Sequence, residues 1–206
     1  MSALRRARCL SRIPGLLLGL AAVAASATPA EEYLLDMTIV VHPRSELASP
    51  RETVSRVDAL LDHATRILEG IDAVFPNEMS CPVRFRAINV RRHDRPPATL
   101  FPCGSGVRYE AVLFPESVLG ELSGCADQAG QGLGMFVGTG FYRNLDDAGA
   151  TYAHEMGHLA GVPGDHVGWE GTLLAGQGLR TRTVPPNLCA IYIDHARSRG
   201  AERGIA

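Results

Sequence analysis

Hydrophobic and polar positions change period several times along the chain, and each change marks an element. Residues 33–41 form an apolar, β-branched run interrupted only by Asp36, which predicts a buried strand. Ser49-Pro50-Arg51-Glu52 has the form of a capping box with proline at the first helical position. Val54, Val57, Leu61, Ala64, Leu68 and Ile71 follow at alternating gaps of three and four. This spacing predicts an amphipathic helix ending at Gly70. Val83, Phe85, Ala87 and Ile88 are set against Arg84, Arg86 and Asn89, which predicts a strand over 83–90 with one wetted face. Residues 91–106, with Pro96-Pro97 and Gly104-Ser105-Gly106, read as loop. A third strand is expected over 107–114. Residues 124–134 are glycine-rich and read as another loop, without the spacing of a phosphate-binding fingerprint. A fourth, glycine-broken strand is expected over 135–141. Asp146 or Asp147 is placed to cap the next helix. Pro185-Pro186 opens a last helix, 187–199, with Leu188, Ile191, Tyr192 and His195 on neighbouring turns. No internal repeat and no second domain is evident. The order predicts an α+β domain: a mixed, twisted sheet of about four strands, a backing helix, a second helix beneath the sheet and a C-terminal helix.

Composition sets the first 27 residues apart. Arg5, Arg6, Arg8 and Arg12 flank the start of an apolar run over residues 15–25, and Ala25-Ser26-Ala27 offers a small-residue cleavage site, the pattern of a secretory signal. Cleavage after Ala30 is the alternative. The run is too short to span a bilayer, and Cys9 precedes it, out of place for a lipid anchor. The expectation is a secreted or periplasmic protein whose residues 28–206 form one domain, long enough for a proper core. The leader would carry away four of the 20 basic residues, all arginine, and none of the 22 acidic ones. That balance argues against nucleic acid and against an anionic membrane surface, and no stable membrane insertion is expected after cleavage. The cluster Arg84, Arg86, Arg91, Arg92 and Arg95 reads as a solvated strand face and loop, with binding of acidic substrates as the alternative. Four cysteines remain: Cys81, Cys103, Cys125 and Cys189. An even number in an exported chain suggests two disulfides, with three possible pairings. Cys81–Cys103 and Cys125–Cys189 are favoured, because the first pair brackets one arginine-rich segment.

The most informative residues are His154-Glu155-Met156-Gly157-His158-Leu159-Ala160-Gly161. Histidines four apart lie one turn apart on one helix face, so their imidazoles can converge on a single Zn²⁺. Glu155 is placed to take a proton from a metal-activated water. An ordinary helix face is the competing account, but this polar set is costly to bury without metal.

His154-Glu155-x-x-His158-x-x-Gly161 resembles the metzincin zinc endopeptidases, whose motif is H-E-x-x-H-x-x-G-x-x-H, or ends in Asp in the snapalysin-like branch. The glycine lets the chain leave the helix sharply so that a third ligand can return. The resemblance implies a zincin-like catalytic domain, a Zn²⁺ cofactor, Glu155 as general base, a peptide or protein substrate and a monomer. Two departures stand out. The third ligand would fall at Gly164, whereas Asp165 and His166 come one and two residues later. The segment 161–166 looks like the snapalysin-type G-x-P-D-H with one glycine inserted, so Asp165 is the expected third ligand and His166 the alternative, with Glu170 as a fallback. The second departure is that no methionine follows Met156. Leu174 sits where the family's methionine turn belongs, a swap that nearly conserves volume. Tyr142 and Tyr192 are candidates to assist catalysis. Met135, Phe136, Val137, Gly138 and Thr139 are expected to form the sheet edge on which an extended substrate adds as a strand. No stretch between the leader and the first strand fits an inhibitory pro-segment. The alternative function is a zincin-fold binding or accessory protein that has lost catalysis. A purely structural, disulfide-stapled protein would leave the histidine motif unexplained.

Overall fold

The computed structural model describes residues 31–43, 45, 47–70, 80–92, 109–114, 123–126, 134–138, 145–176 and 181–202. The expected leader lies outside them. Eight elements follow in order: β1 (Tyr33–Val41), α1 (Thr53–Glu69), β2 (Val83–Arg92), β3 (Glu110–Phe114), β4 (Gly124–Ala126), β5 (Met135–Gly138), α2 (Leu145–Leu159) and α3 (Pro186–Glu202). The strands form one mixed sheet in the order β2-β1-β3-β5-β4. β1, β2, β3 and β5 run parallel, and β4 lies antiparallel to β5 at the edge. The α+β layout is therefore as expected, with five strands instead of about four. The additional strand, β4, comes from the glycine-rich stretch read as loop. Three residues are too few to display a period of two.

The sheet has two faces with different covers. Leu35, Met37, Ile39 and Val41 of β1 join Ala111, Leu113, Met135 and Val137 in the main core with α1, α2 and α3. Val40, Val112, Phe114 and Phe136 form a smaller cluster, as alternation along a strand requires. Asp36, which interrupts the apolar run of β1, lies opposite Arg86 in the β1–β2 register. Its carboxylate is 1% exposed and accepts two hydrogen bonds, from Arg86 Nε at 2.9 Å and Nη2 at 2.7 Å. This fork-to-fork pairing compensates the buried charge and raises the pKa of Arg86, through the hydrogen bond first and the charge second. Arg91 pairs with Glu110, and Arg92 donates to the Ala48 carbonyl. On the arginine face of β2, Arg86 and Arg91 are thus each paired with a carboxylate of another strand. Arg95 lies outside the described residues. Between Met37 and Thr38 the β1–β2 register shifts by one residue, and Ile88 is the unmatched position, 55% exposed. A bulge explains why two adjacent apolar residues, Ala87 and Ile88, appear in an otherwise alternating strand.

α1 begins three residues later than the sequence suggests. The capping box is not used: Glu52 occupies the cap position with no side-chain cap bond. The Ser49 carbonyl instead accepts from the Glu52 and Thr53 amides and from the Thr53 hydroxyl, making Pro50 part of a turn. Val54 is consequently 57% exposed, while Leu60 and Ile67 join the buried face. The helix does end at Gly70, in the left-handed conformation at φ 79°. Nor do Asp146 and Asp147 cap α2, because the helix already begins at Leu145. Asp147 pairs with Arg182 instead, at 3.2 Å.

The favoured disulfide pairing is corrected. Cys81 bonds Cys189, 108 residues away, with Cα atoms 5.5 Å apart. α3 packs on β1 and β2, so its first turn meets the residue just before β2, and closeness in space overrides closeness in sequence. Cys125 is also disulfide-bonded, its partner lying outside the described residues, as does Cys103. These bonds fit an oxidising compartment. No helix among the described residues is long and apolar enough to cross a membrane. Replacing Cys81 and Cys189 together by serine is expected to destabilise the domain by about 2–5 kcal/mol. Denaturant unfolding reads this directly, and an unchanged midpoint would show that α3 is held by packing alone.

Candidate metal centre

The histidine-bearing part of α2 is enclosed: every residue from 151 to 159 is buried. α2 packs against α1, β4, β5 and α3, and a helix enclosed in this way needs no polar face. Two glycines permit the close approach. A methyl on Gly149 would stand 3.0 Å from the Ala64 amide nitrogen of α1. A methyl on Gly157 would stand 2.8 Å from Leu174 Cδ1 and 3.0 Å from the Tyr192 hydroxyl.

The C-terminus of α2 ends in a Schellman turn. The Val162 amide donates to the Gly157 carbonyl and the Gly161 amide to the His158 carbonyl, each at 3.0 Å. Gly161 takes φ 117°, as the position after a helix cap favours. The chain reverses, passes exposed Gly164 and Asp165, and enters His166 at φ 58°. This left-handed residue turns its ring back to the helix. His166 Nε2 stands 3.2 Å from His154 Nε2 and 3.1 Å from His158 Nε2, and the two helix nitrogens are 3.0 Å apart. Three histidines therefore form a group that could hold a metal ion.

Asp165, the expected third ligand, is not in that group. Its Oδ1 accepts instead from the Val167 amide at 3.2 Å. Glu170 is exposed, and its Oε1 accepts from the Gly168 amide. The reach from Gly161 to the third histidine is two residues longer than the family spacing. Reversal at Gly161 and the left-handed turn at His166 take up the excess.

The tautomers of the helix histidines follow from their outer partners. His154 Nδ1 lies 2.8 Å from the Leu173 carbonyl and His158 Nδ1 2.9 Å from the Val162 carbonyl. A carbonyl only accepts, so each Nδ1 carries the hydrogen and each neutral ring turns its Nε2 lone pair inward. With both rings neutral, two lone pairs face each other at 3.0 Å. A cation relieves that opposition. Tetrahedral ligands at zinc–nitrogen bond lengths stand ~3.3 Å apart, close to the spacing of the three nitrogens, so the donor set fits zinc.

The segment after the loop holds this arrangement from below. The Leu173 amide donates to the Thr183 carbonyl at 2.9 Å, and the Leu173 carbonyl accepts from His154 Nδ1. Leu174, fully buried, packs on the helix backbone at Gly157. Tyr192 is fully buried and donates to the Ala153 carbonyl at 2.7 Å, so it supports α2 and is not placed to meet a substrate. Tyr152 has its phenol pushed far above the ordinary range, by burial first, and stays neutral. Tyr142 lies outside the described residues.

Glu155 is buried at 4% exposure. Its neighbour across the sheet is Gly124 of β4, a residue that sequence reasoning passed over. The expected substrate edge is also corrected. Met135, Phe136, Val137 and Gly138 are all buried and lie between β3 and β4, so they are interior. Thr139 lies outside the described residues. The edge is β4, whose place was hidden because its pairing partner is the very strand taken to be the edge.

Compared with known proteins, the chain matches no family model and no curated protein. Among solved structures it is similar to a chain from "Structure of a chaperone-substrate complex", at 15% identity and a TM-score of 0.44. The likeness covers 64% of this chain and 24% of the other, so the chain spans about a quarter of its neighbour's length. At that level the likeness carries no argument about site or partner, and the functional reading rests on the histidines and on Glu155.

Proposed function

We propose that this chain is an exported zinc-dependent endopeptidase, similar to the metzincins, that hydrolyses peptide bonds with Glu155 as general base. The observation that carries the reading is the meeting of three Nε2 atoms, two of them in tautomers set by backbone carbonyls, on a helix whose next residue after His154 is the buried Glu155. His154, His158 and His166 would hold the ion and leave a fourth position open. When bound, zinc would polarise a water molecule and the scissile carbonyl. Glu155 accepts a proton from the water and passes it to the leaving amine. The substrate is an extended peptide that adds to the outer edge of β4 as a strand, because Gly124 of that strand lies against the Glu155 side chain. The enzyme acts as a monomer, with its leader removed on export and its disulfides closed.

The test is metal content measured together with hydrolysis. The purified chain is expected to carry one zinc and to cleave a denatured protein. A chelator should stop cleavage, and added zinc should restore it. Zinc bound at one per chain with no cleavage of denatured proteins would favour the alternative, a zincin-fold binding or accessory protein. No affinity for any divalent metal would reject the peptidase reading.

A further inference from the structure

We infer that Gly124 is a positioning residue for Glu155: its missing side chain lets the edge strand hold the glutamate in one rotamer. The inference deepens the peptidase reading and borrows from it the role of Glu155 as base. A methyl group at position 124 would stand 2.5 Å from Glu155 Oε1, 2.8 Å from its Cγ and 2.8 Å from Thr151 Cγ2. Real carbon contacts do not come so close. The clash reaches Cγ, so rotating the terminal carboxylate cannot relieve it. The side chain must leave its rotamer about the Cα–Cβ bond, and the carboxylate goes with it.

The strand cannot easily give way instead. Gly124 is paired with Val137 and Cys125 with Phe136. The Gly138 amide donates to the Ser123 carbonyl at 2.9 Å, and Cys125 is tied by a disulfide. Thr151 closes the other side. It is fully buried, one helical turn before Glu155 and on the same face of α2. Glu155 and Thr151 thus both lie against position 124, and glycine is the residue that leaves room for them.

The test combines Gly124→Ala with Thr151→Ser. The serine keeps the hydroxyl and deletes the methyl that crowds position 124. Zinc content and hydrogen exchange across β4 and β5 are expected to match the unaltered protein in Gly124→Ala, since neither the histidines nor the strand pairing is touched. The kcat should fall by ~10²-fold, the scale of general-base loss, with KM little changed. In the Thr151→Ser background the same substitution should cost as much, because that change relieves only the contact to Thr151 and leaves those to Glu155 Oε1 and Cγ in place. Crystal structures of the metal-free variants read the geometry independently of activity: the Glu155 carboxylate should be displaced in Gly124→Ala and in the double variant, and unmoved in Thr151→Ser alone. An unmoved carboxylate in Gly124→Ala overturns the inference, as does rescue of kcat by Thr151→Ser, which would put the decisive clash at the threonine, or a kcat loss accompanied by lost zinc or lost β4 protection. A displaced carboxylate in a protein that cleaves no peptide would uphold Gly124's role while defeating the peptidase reading.

Discussion

Glu155→Gln should bind zinc as the unaltered protein does and hydrolyse nothing measurable. The amide nearly matches the carboxylate in volume, so the fit of the side chain against Gly124 is preserved. The metal-holding rings are fixed by other groups, the Leu173 and Val162 carbonyls, and none of these contacts involves residue 155. What the substitution removes is basicity. A glutamine cannot take the proton from water or return it to the leaving amine, and loss of a general base typically costs ~10²–10⁴-fold in rate. The check is kcat/KM measured alongside zinc stoichiometry on the same preparation. Loss of zinc together with activity would mean that Glu155 supports the ion rather than the proton transfer. Undiminished hydrolysis would remove it from the mechanism.

The parts of the fold that could be read from the chain are those whose period repeats often enough to be seen. β1 matches its expected range because nine residues carry an unbroken apolar run, and its one anomaly, Asp36, is explained by a partner on the next strand. α1 keeps its buried stripe and its glycine terminus. Its start was misread because Ser49 engages through its carbonyl, which any residue possesses, and not through the hydroxyl that marks a cap. β4 offers three residues and one glycine, and only pairing with β5 makes it a strand. The disulfide could not be paired from spacing, because Cys81 and Cys189 meet through the docking of α3 on the sheet.

The site divides in the same way. The two helix histidines and Glu155 are legible because helix geometry alone sets their spacing. Everything that completes the centre depends on contacts made outside the helix. Leu173 supplies a backbone carbonyl, for which any residue would serve. Gly124 matters by lacking a side chain, and among the 22 glycines of the chain nothing local distinguishes it. The substrate edge was misplaced by one strand because edge position is a property of the sheet order.

The third ligand is where a rule of spacing and the geometry of the turn disagree, and His166→Asn against Asp165→Ala decides between them. Asparagine tolerates the left-handed backbone that His166 adopts at φ 58°, so the turn should survive while the imidazole is lost. Only His154 and His158 would then remain, and two ligands do not make a closed site for zinc. Zinc affinity is expected to fall by more than ~10²-fold, beyond the ~10–100-fold that loss of a ligand's hydrogen-bond partner causes. Hydrolysis at micromolar zinc should disappear with it. Asp165→Ala removes one exposed side-chain bond to the Val167 amide and should hold zinc within that ~10–100-fold margin, since the aspartate's part is to shape the turn. Competition against a chelator of known affinity reads both variants on one scale. The opposite ranking, with metal lost in Asp165→Ala and kept in His166→Asn, would mean that the loop rearranges on binding to present the carboxylate, as the one-glycine insertion first suggested. The three Nε2 atoms lie within 3.2 Å of one another, whereas the Asp165 carboxylate would have to leave the Val167 amide to join them.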